Sequence, residues 1–150
     1  KNCAVTFTID VPKGWQYSIA QFNYRGFIHL DPKTYAEHST NYFFQGQGTT
    51  GTWKAVEEGG IIGLDKDFVY TDKFALVSTN VWSPCNVERA LTANTAIRVA
   101  KRSGAAPTAE AIITNDTIDG EIKTVIAQSF TLAWQKCPLP AAPIAGGSRS

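Results

Sequence analysis

The sequence predicts an all-β protein, an antiparallel β-sandwich with Greek-key-like connections. Three observations carry that expectation. Apolar residues recur with a period of two, and turn signals interrupt the chain at intervals of roughly 8–12 residues. No window shows the i, i+3, i+4 apolar stripe of an amphipathic helix.

The elements follow in order. Val5, Phe7, Ile9 and Val11 alternate with Thr6, Thr8 and Asp10, a half-buried strand that Pro12-Lys13-Gly14 ends. Residues 15–30 are rich in aromatic and β-branched types, with Gly26 read as a bulge or bend and Asp31-Pro32 as the stop. Residues 40–45 form a short strand closed by Gly46-Gln47-Gly48. Residues 53–64 hold two strand-like fragments around Gly59-Gly60, and residues 67–71 and 74–82 are separated by Asp72-Lys73. Ser83-Pro84-Cys85-Asn86 reads as a turn. Leu91, Ala93, Thr95, Ile97 and Val99 then line one strand face, with Thr92, Asn94 and Arg98 on the other, until Ser103-Gly104. Ala105–Ala111 has the composition for a single helical turn. A further strand covers 109–114, Asp119-Gly120 is a hairpin signal, and the last strand runs over 122–136 with a kink near Gln128. Phe130, Leu132 and Trp134 alternate inward along it.

The strand pattern places one domain at residues 1–137, followed by a Pro/Gly-rich tail at 138–150. The whole chain of 150 residues suits a single core, and 43% hydrophobic with 18% charged residues excludes a disordered polyelectrolyte or a coiled coil. Lys+Arg is 14 against Asp+Glu 13, so no basic excess draws nucleic acid or anionic lipid. The longest apolar runs, such as residues 59–64, are too short for membrane insertion as a helix.

The compartment is legible in the cysteines. Cys3, Cys85 and Cys137 lie far apart, without the paired spacing of a zinc site. Cys3 opens the first strand and Cys137 closes the last, so a Cys3–Cys137 disulfide is expected. Cys85 then either pairs outside this segment or stays a thiol. The chain opens on Lys1 and contains no Met, reading as a processed or trimmed product. Asn115-Asp116-Thr117 is an acceptor triplet for N-glycosylation at Asn115. Together these point to a secreted, extracellular protein.

Two constellations carry candidate chemistry. His29, Asp31 and His38 have the composition of a two-histidine, one-carboxylate metal site, although Pro32 turns Asp31 away and the gap to His38 is short. Asp65-Lys66-Asp67 lacks the ligands of a calcium loop and reads as a charged turn. Trp15, Tyr17, Tyr42 and Trp53 are candidate faces for stacking on sugar rings, cell-wall polysaccharide being the ligand class. Neither a nucleophile elbow nor a phosphate loop occurs, so a cofactor is not expected and an enzyme is the less favoured reading.

Several linked motifs then resemble a known family. They are Asn2-Cys3, Gly14-Trp15-Gln16-Tyr17-Ser18-Ile19, Tyr24-Arg25-Gly26-Phe27, Leu30-Asp31 and Ser39-Thr40-Asn41-Tyr42-Phe43-Phe44-Gln45-Gly46. Val81-Trp82-Ser83-Pro84-Cys85, Asp119-Gly120 and Trp134-Gln135-Lys136-Cys137 complete the series. In this order and spacing, over residues 2–137, the chain resembles the DUF4360 family of small secreted proteins of fungi and bacteria. The resemblance implies secretion and a disulfide-stapled β fold. It also implies an upstream Gly-Cys-Pro segment whose cysteine makes a fourth, so that a sandwich without it presents an open edge for another strand. The expected function is therefore a non-catalytic structural or interaction protein of the cell surface or matrix. Its expected partner is another copy or a cleaved precursor segment, held by strand complementation and an interchain disulfide. A glycan-binding module and a metal-dependent enzyme are the alternatives.

Overall fold

A computed structural model describes residues 1–73, 82–115 and 128–139, without the side chains of 49, 50, 128 and 129. Among them there are eight strands and no helix: β1 (Asn2–Phe7), β2 (Trp15–Leu30), β3 (Thr34–Phe44), β4 (Thr49–Glu58), β5 (Leu64–Lys73), β6 (Leu91–Lys101), β7 (Ala111–Asn115) and β8 (Gln128–Lys136). The expected strand over 74–82, the Asp119-Gly120 hairpin and the tail beyond residue 139 lie outside the described residues, apart from Trp82 in a bend.

Two antiparallel sheets form the sandwich. One has the order β1-β6-β3-β4; the other is built on β2, with β5 on one side and β7 and β8 on the other. β6 returns beside β3 after the chain has passed through β4 and β5, the long return that marks a Greek key. β7 pairs with β2 from Leu30 to Gly26 and β8 from Tyr24 to Trp15. The two are successive halves of one edge, and the chain leaves that edge between Asn115 and Gln128.

Alternation along β2 and β3 makes the core. Tyr17, Ile19, Phe22, Tyr24, Ile28 and Leu30 point from β2 to Ala36, Tyr42 and Phe44 of β3, all buried. The shift from odd to even positions marks a bulge between Ile19 and Gln21. Gly26 is therefore not the bulge. It sits in regular pairing, where a Cβ would lie 1.9 Å from the Thr114 carbonyl oxygen and 2.7 Å from the Phe68 ring. A glycine is required there by close approach. Asp65, Lys66 and Asp67, expected as a turn, lie in β5, their outward charges facing solvent and its inward Phe68 buried.

The disulfide joins Cys85 to Cys137, not Cys3 to Cys137, and Cys3 keeps a free, exposed thiol. The topology gives the reason. β1 belongs to one sheet and β8 to the other, so the first and last strands are not neighbours. Ser83 N–H donates to the Tyr17 carbonyl and Cys137 N–H to the Gly14 carbonyl, bringing both cysteines to the start of β2 with Cα atoms 5.8 Å apart. Closing that 52-residue separation removes unfolded-state entropy worth about 4 kcal/mol.

Candidate interaction surface

Sequence reasoning nominated four aromatic residues, and the structure separates them. Tyr17 and Tyr42 have 0% and 1% exposure. The Tyr17 hydroxyl donates to the Arg89 carbonyl at 2.9 Å, and the Tyr42 hydroxyl is bonded to that of Tyr24. Burial pushes the Tyr17 and Tyr24 phenols up to about 12 and Tyr42 higher still. Trp53 lies against the core, stacked on Tyr24 at 5.1 Å between centroids. Only Trp15 offers a face, with the Lys136 ammonium 6.0 Å from its ring centre. Tyr17 and Tyr42 thus have no surface on which a sugar could stack, and the four form no platform.

The expected His29, Asp31 and His38 trio is divided between faces. His29 lies on the outer face of β2, its Nε2 3.7 Å from Asp31 and its Nδ1 3.5 Å from Asp65. The two carboxylates address opposite ring nitrogens, so they do not converge on one ion. Asp31 also accepts the Glu110 N–H at 2.7 Å, pinning the entry to β7. His38 points the other way, into the sandwich, 1% exposed. It is boxed by Tyr24, Trp53, Phe68 and Tyr70, and neither of its ring nitrogens has a hydrogen-bond partner. Burial without an acceptor lowers its pKa to about 4. Among the described residues no group of three or more His, Cys, Asp or Glu is placed to hold a metal ion. Asn115, the glycosylation candidate, has its side-chain oxygen buried and unbonded, and the other two residues of its triplet lie outside the described residues.

A different feature emerges on the β6–β7 side. Along the inward face of β6, cover fades: Leu91, Ala93 and Thr95 are buried, Ile97 is half-buried and Val99 is exposed. Cys3 lies opposite Thr95 on the same inward face, yet is exposed. The second sheet does not reach this margin. Between β6 and β7 runs a slot of about 670 Å³, walled by Ala96, Ile97, Val99, Ala111, Ile112 and Ile113, with Lys1 and Arg98 at its rim.

The slot also has unpaired backbone. Lys1 and Ile97 exchange both main-chain hydrogen bonds, at 2.9 and 3.0 Å, so the polar groups of Ile97 face β1. Antiparallel alternation turns those of Val99 and Lys101 the same way, where the register with β1 has already ended and no described residue pairs with them. On the facing wall, Asp31 N–H donates to the Glu110 carbonyl, so Ile113, three residues on, presents its backbone groups away from β2. Sequence reasoning foresaw an open edge but not its place. The nearest sequence signal is the apolar alternation of Ile97 and Val99, which runs past the reach of β1.

The comparisons agree with a secreted β domain. The model of a domain of unknown function, DUF4360, matches residues 1–137. An uncharacterised secreted protein of Arthroderma benhamiae is 31% identical over 141 residues, covering 91% of this chain and 51% of that protein. The chain thus spans about half the length of that curated relative. With a family model matched across both sheets and the disulfide, the chain belongs to the DUF4360 family.

Proposed function

We propose that this is an extracellular, non-catalytic interaction protein that receives a segment of a partner chain in the β6–β7 slot. The slot carries the reading: an apolar cleft beside the unpaired backbone of Val99 and Lys101 offers side-chain pockets and main-chain hydrogen bonds together, the two components of strand addition. The exposed Cys3, in β1 next to the slot wall, supports a covalent tie. Its thiolate, exchanging with a disulfide of the docked chain, becomes bonded to one sulfur and releases the other as a thiol. The secreted relative supports the oxidising compartment in which such a tie persists.

Amide hydrogen exchange tests this reading. In protein recovered from the extracellular medium, Val99 and Lys101 amides are expected to exchange slowly, and to become fast once the assembly is dissociated. Fast exchange at both positions in the native material overturns the proposal. Cys3→Ser is expected to make any assembly dissociate on non-reducing electrophoresis.

A further inference from the structure

We infer that the slot is filled by the Ile61-Ile62 turn of a second copy of this chain, each copy inserting its turn into the other. The inference rests on the reading of the slot as a docking site and names its occupant.

The turn is an unusual one. It joins β4 to β5 as Gly59-Gly60-Ile61-Ile62-Gly63, and the two isoleucines are 89% and 92% exposed. Turns ordinarily carry Gly, Pro, Asn, Asp and Ser at such tips, because branched apolar side chains gain nothing in water. This tip is held firmly in that exposed position. Gly63 N–H donates to the Gly59 carbonyl at 2.7 Å, and Gly59 N–H to the Thr34 carbonyl at 2.8 Å. Lys33 N–H donates to the Gly60 carbonyl at 2.9 Å. Gly60 and Gly63 have φ of +57° and +88°, and a Cβ on Gly59 would lie 2.3 Å from the Asp31 carbonyl oxygen. The glycines and bonds fix the backbone against the β2–β3 corner, so the isoleucines cannot fold back over the core. The result is a preformed apolar knob.

The slot is its complement. Its walls are aliphatic, and about 670 Å³ lies within the roughly 300–1,000 Å³ of pockets that enclose small ligands. The charges match as well. Lys1 and Arg98 at the rim make no ion pair with any described residue, and Asp65, just beyond the knob, has a largely exposed carboxylate.

Placement decides the symmetry. The knob bonds to Lys33 and Thr34 on one flank of the β2–β3 corner. The slot begins on the other flank, where Ala111 pairs with Leu30 and Arg102 N–H donates to the Lys33 carbonyl. A knob and a slot at one end of the molecule let a twofold axis at that end satisfy both contacts at once, closing a dimer and leaving neither surface to propagate a fibre.

Light scattering coupled to size exclusion tests the inference, in a Cys3→Ser background without reductant so that Cys85–Cys137 stays intact. The parent is expected to dimerise. The double variant Ile61→Asp, Ile62→Asp changes only exposed positions and keeps the fold; its self-association is expected to weaken at least tenfold. Val99→Asp is expected to do the same from the slot side. A mixture of the knob and slot variants is expected to regain a heterodimer, because one intact knob still meets one intact slot. A parent that stays monomeric at its highest soluble concentration overturns the inference, as does a knob variant that assembles as tightly as the parent. If Val99→Asp alone abolishes assembly, the knob is not the occupant while the slot remains a docking site. The backbone exchange measurement, made on native material, judges the slot separately.

Discussion

The β4–β5 side of the sandwich is closed and the β6–β7 side is open, although the strands on both sides obey the same alternation. On the closed side the inward residues are large. Trp53 of β4 meets Tyr70 of β5 at 5.4 Å between ring centres, Phe68 stacks on Tyr70 at 4.3 Å, and His38 sits behind them. The rim is bonded across the sheets: Tyr70 donates to Glu57 at 3.0 Å, and Lys66 pairs with the same carboxylate at 2.9 Å. On the open side Ile97 and Val99 face Ala111 and Ile113, and the volume that rings supply elsewhere becomes the slot. Side-chain size at facing positions decides whether a margin closes, and pattern alone does not.

Removing a ring from the closed side is expected to have the largest effect. Phe68→Ala takes out a buried ring that contacts His38 and Tyr70 and covers Gly26. Truncations of this type cost about 3–5 kcal/mol. Urea unfolding at neutral pH measures it; a loss no larger than that of a surface substitution breaks the contrast between the two sides.

The next effect is a pH dependence lodged in the closed side. The pKa of His38 falls from 6.5 to about 4 on folding. Between those values the unfolded chain binds the proton and the folded chain does not, so stability is lost as pH drops through this window. The loss approaches about 3 kcal/mol below pH 4. The titratable groups around it come from every neighbouring element: Tyr24 from β2, Glu57 from β4, and Tyr70 and Asp72 from β5. Burial raises Asp72, which acts with the opposite sign and offsets part of the loss as it protonates. His38→Leu is expected to flatten the acid limb between pH 6.5 and 4 while leaving stability at pH 7 unchanged or higher, since an unbonded imidazole leaves the core. An acid limb of the same slope in that variant assigns the sensitivity elsewhere.

The sequence made the closed side more legible than the open one. Residues 15–30 announced β2 because one face is apolar and buried along its length. Residues 34–39 did not announce the first half of β3, because its inward residues are Thr34, Ala36 and His38 and the period carries little apolar contrast. Tyr17 and Tyr42 passed for surface faces because a phenol suits either side of a sheet. What settles them inside is a carbonyl of Arg89 and a hydroxyl of Tyr24, both distant in sequence. The disulfide followed from which sheet each terminal strand joins, a non-local choice that cysteine spacing does not encode. The slot is the extreme case. It exists where β1 stops covering β6, so no residue type marks it.

The smallest effect sharpens the comparison most. Val99 and Ile112 line the slot and are 39% and 47% exposed. If that margin is open in solution, their side chains already spend much of their surface in water, and Val99→Ser or Ile112→Ser removes little burial. Each is expected to cost under about 1 kcal/mol in the isolated, dilute chain, against several for Phe68→Ala. The same two substitutions are expected to cost more in assembled protein, where the slot is filled and its walls are dry. A cost near that of Phe68→Ala in the dilute chain means the walls are covered from within the molecule, and the margin is then closed like its counterpart. The ratio of the two costs, measured at one pH and one concentration, is therefore a direct reading of how open this side of the sandwich is.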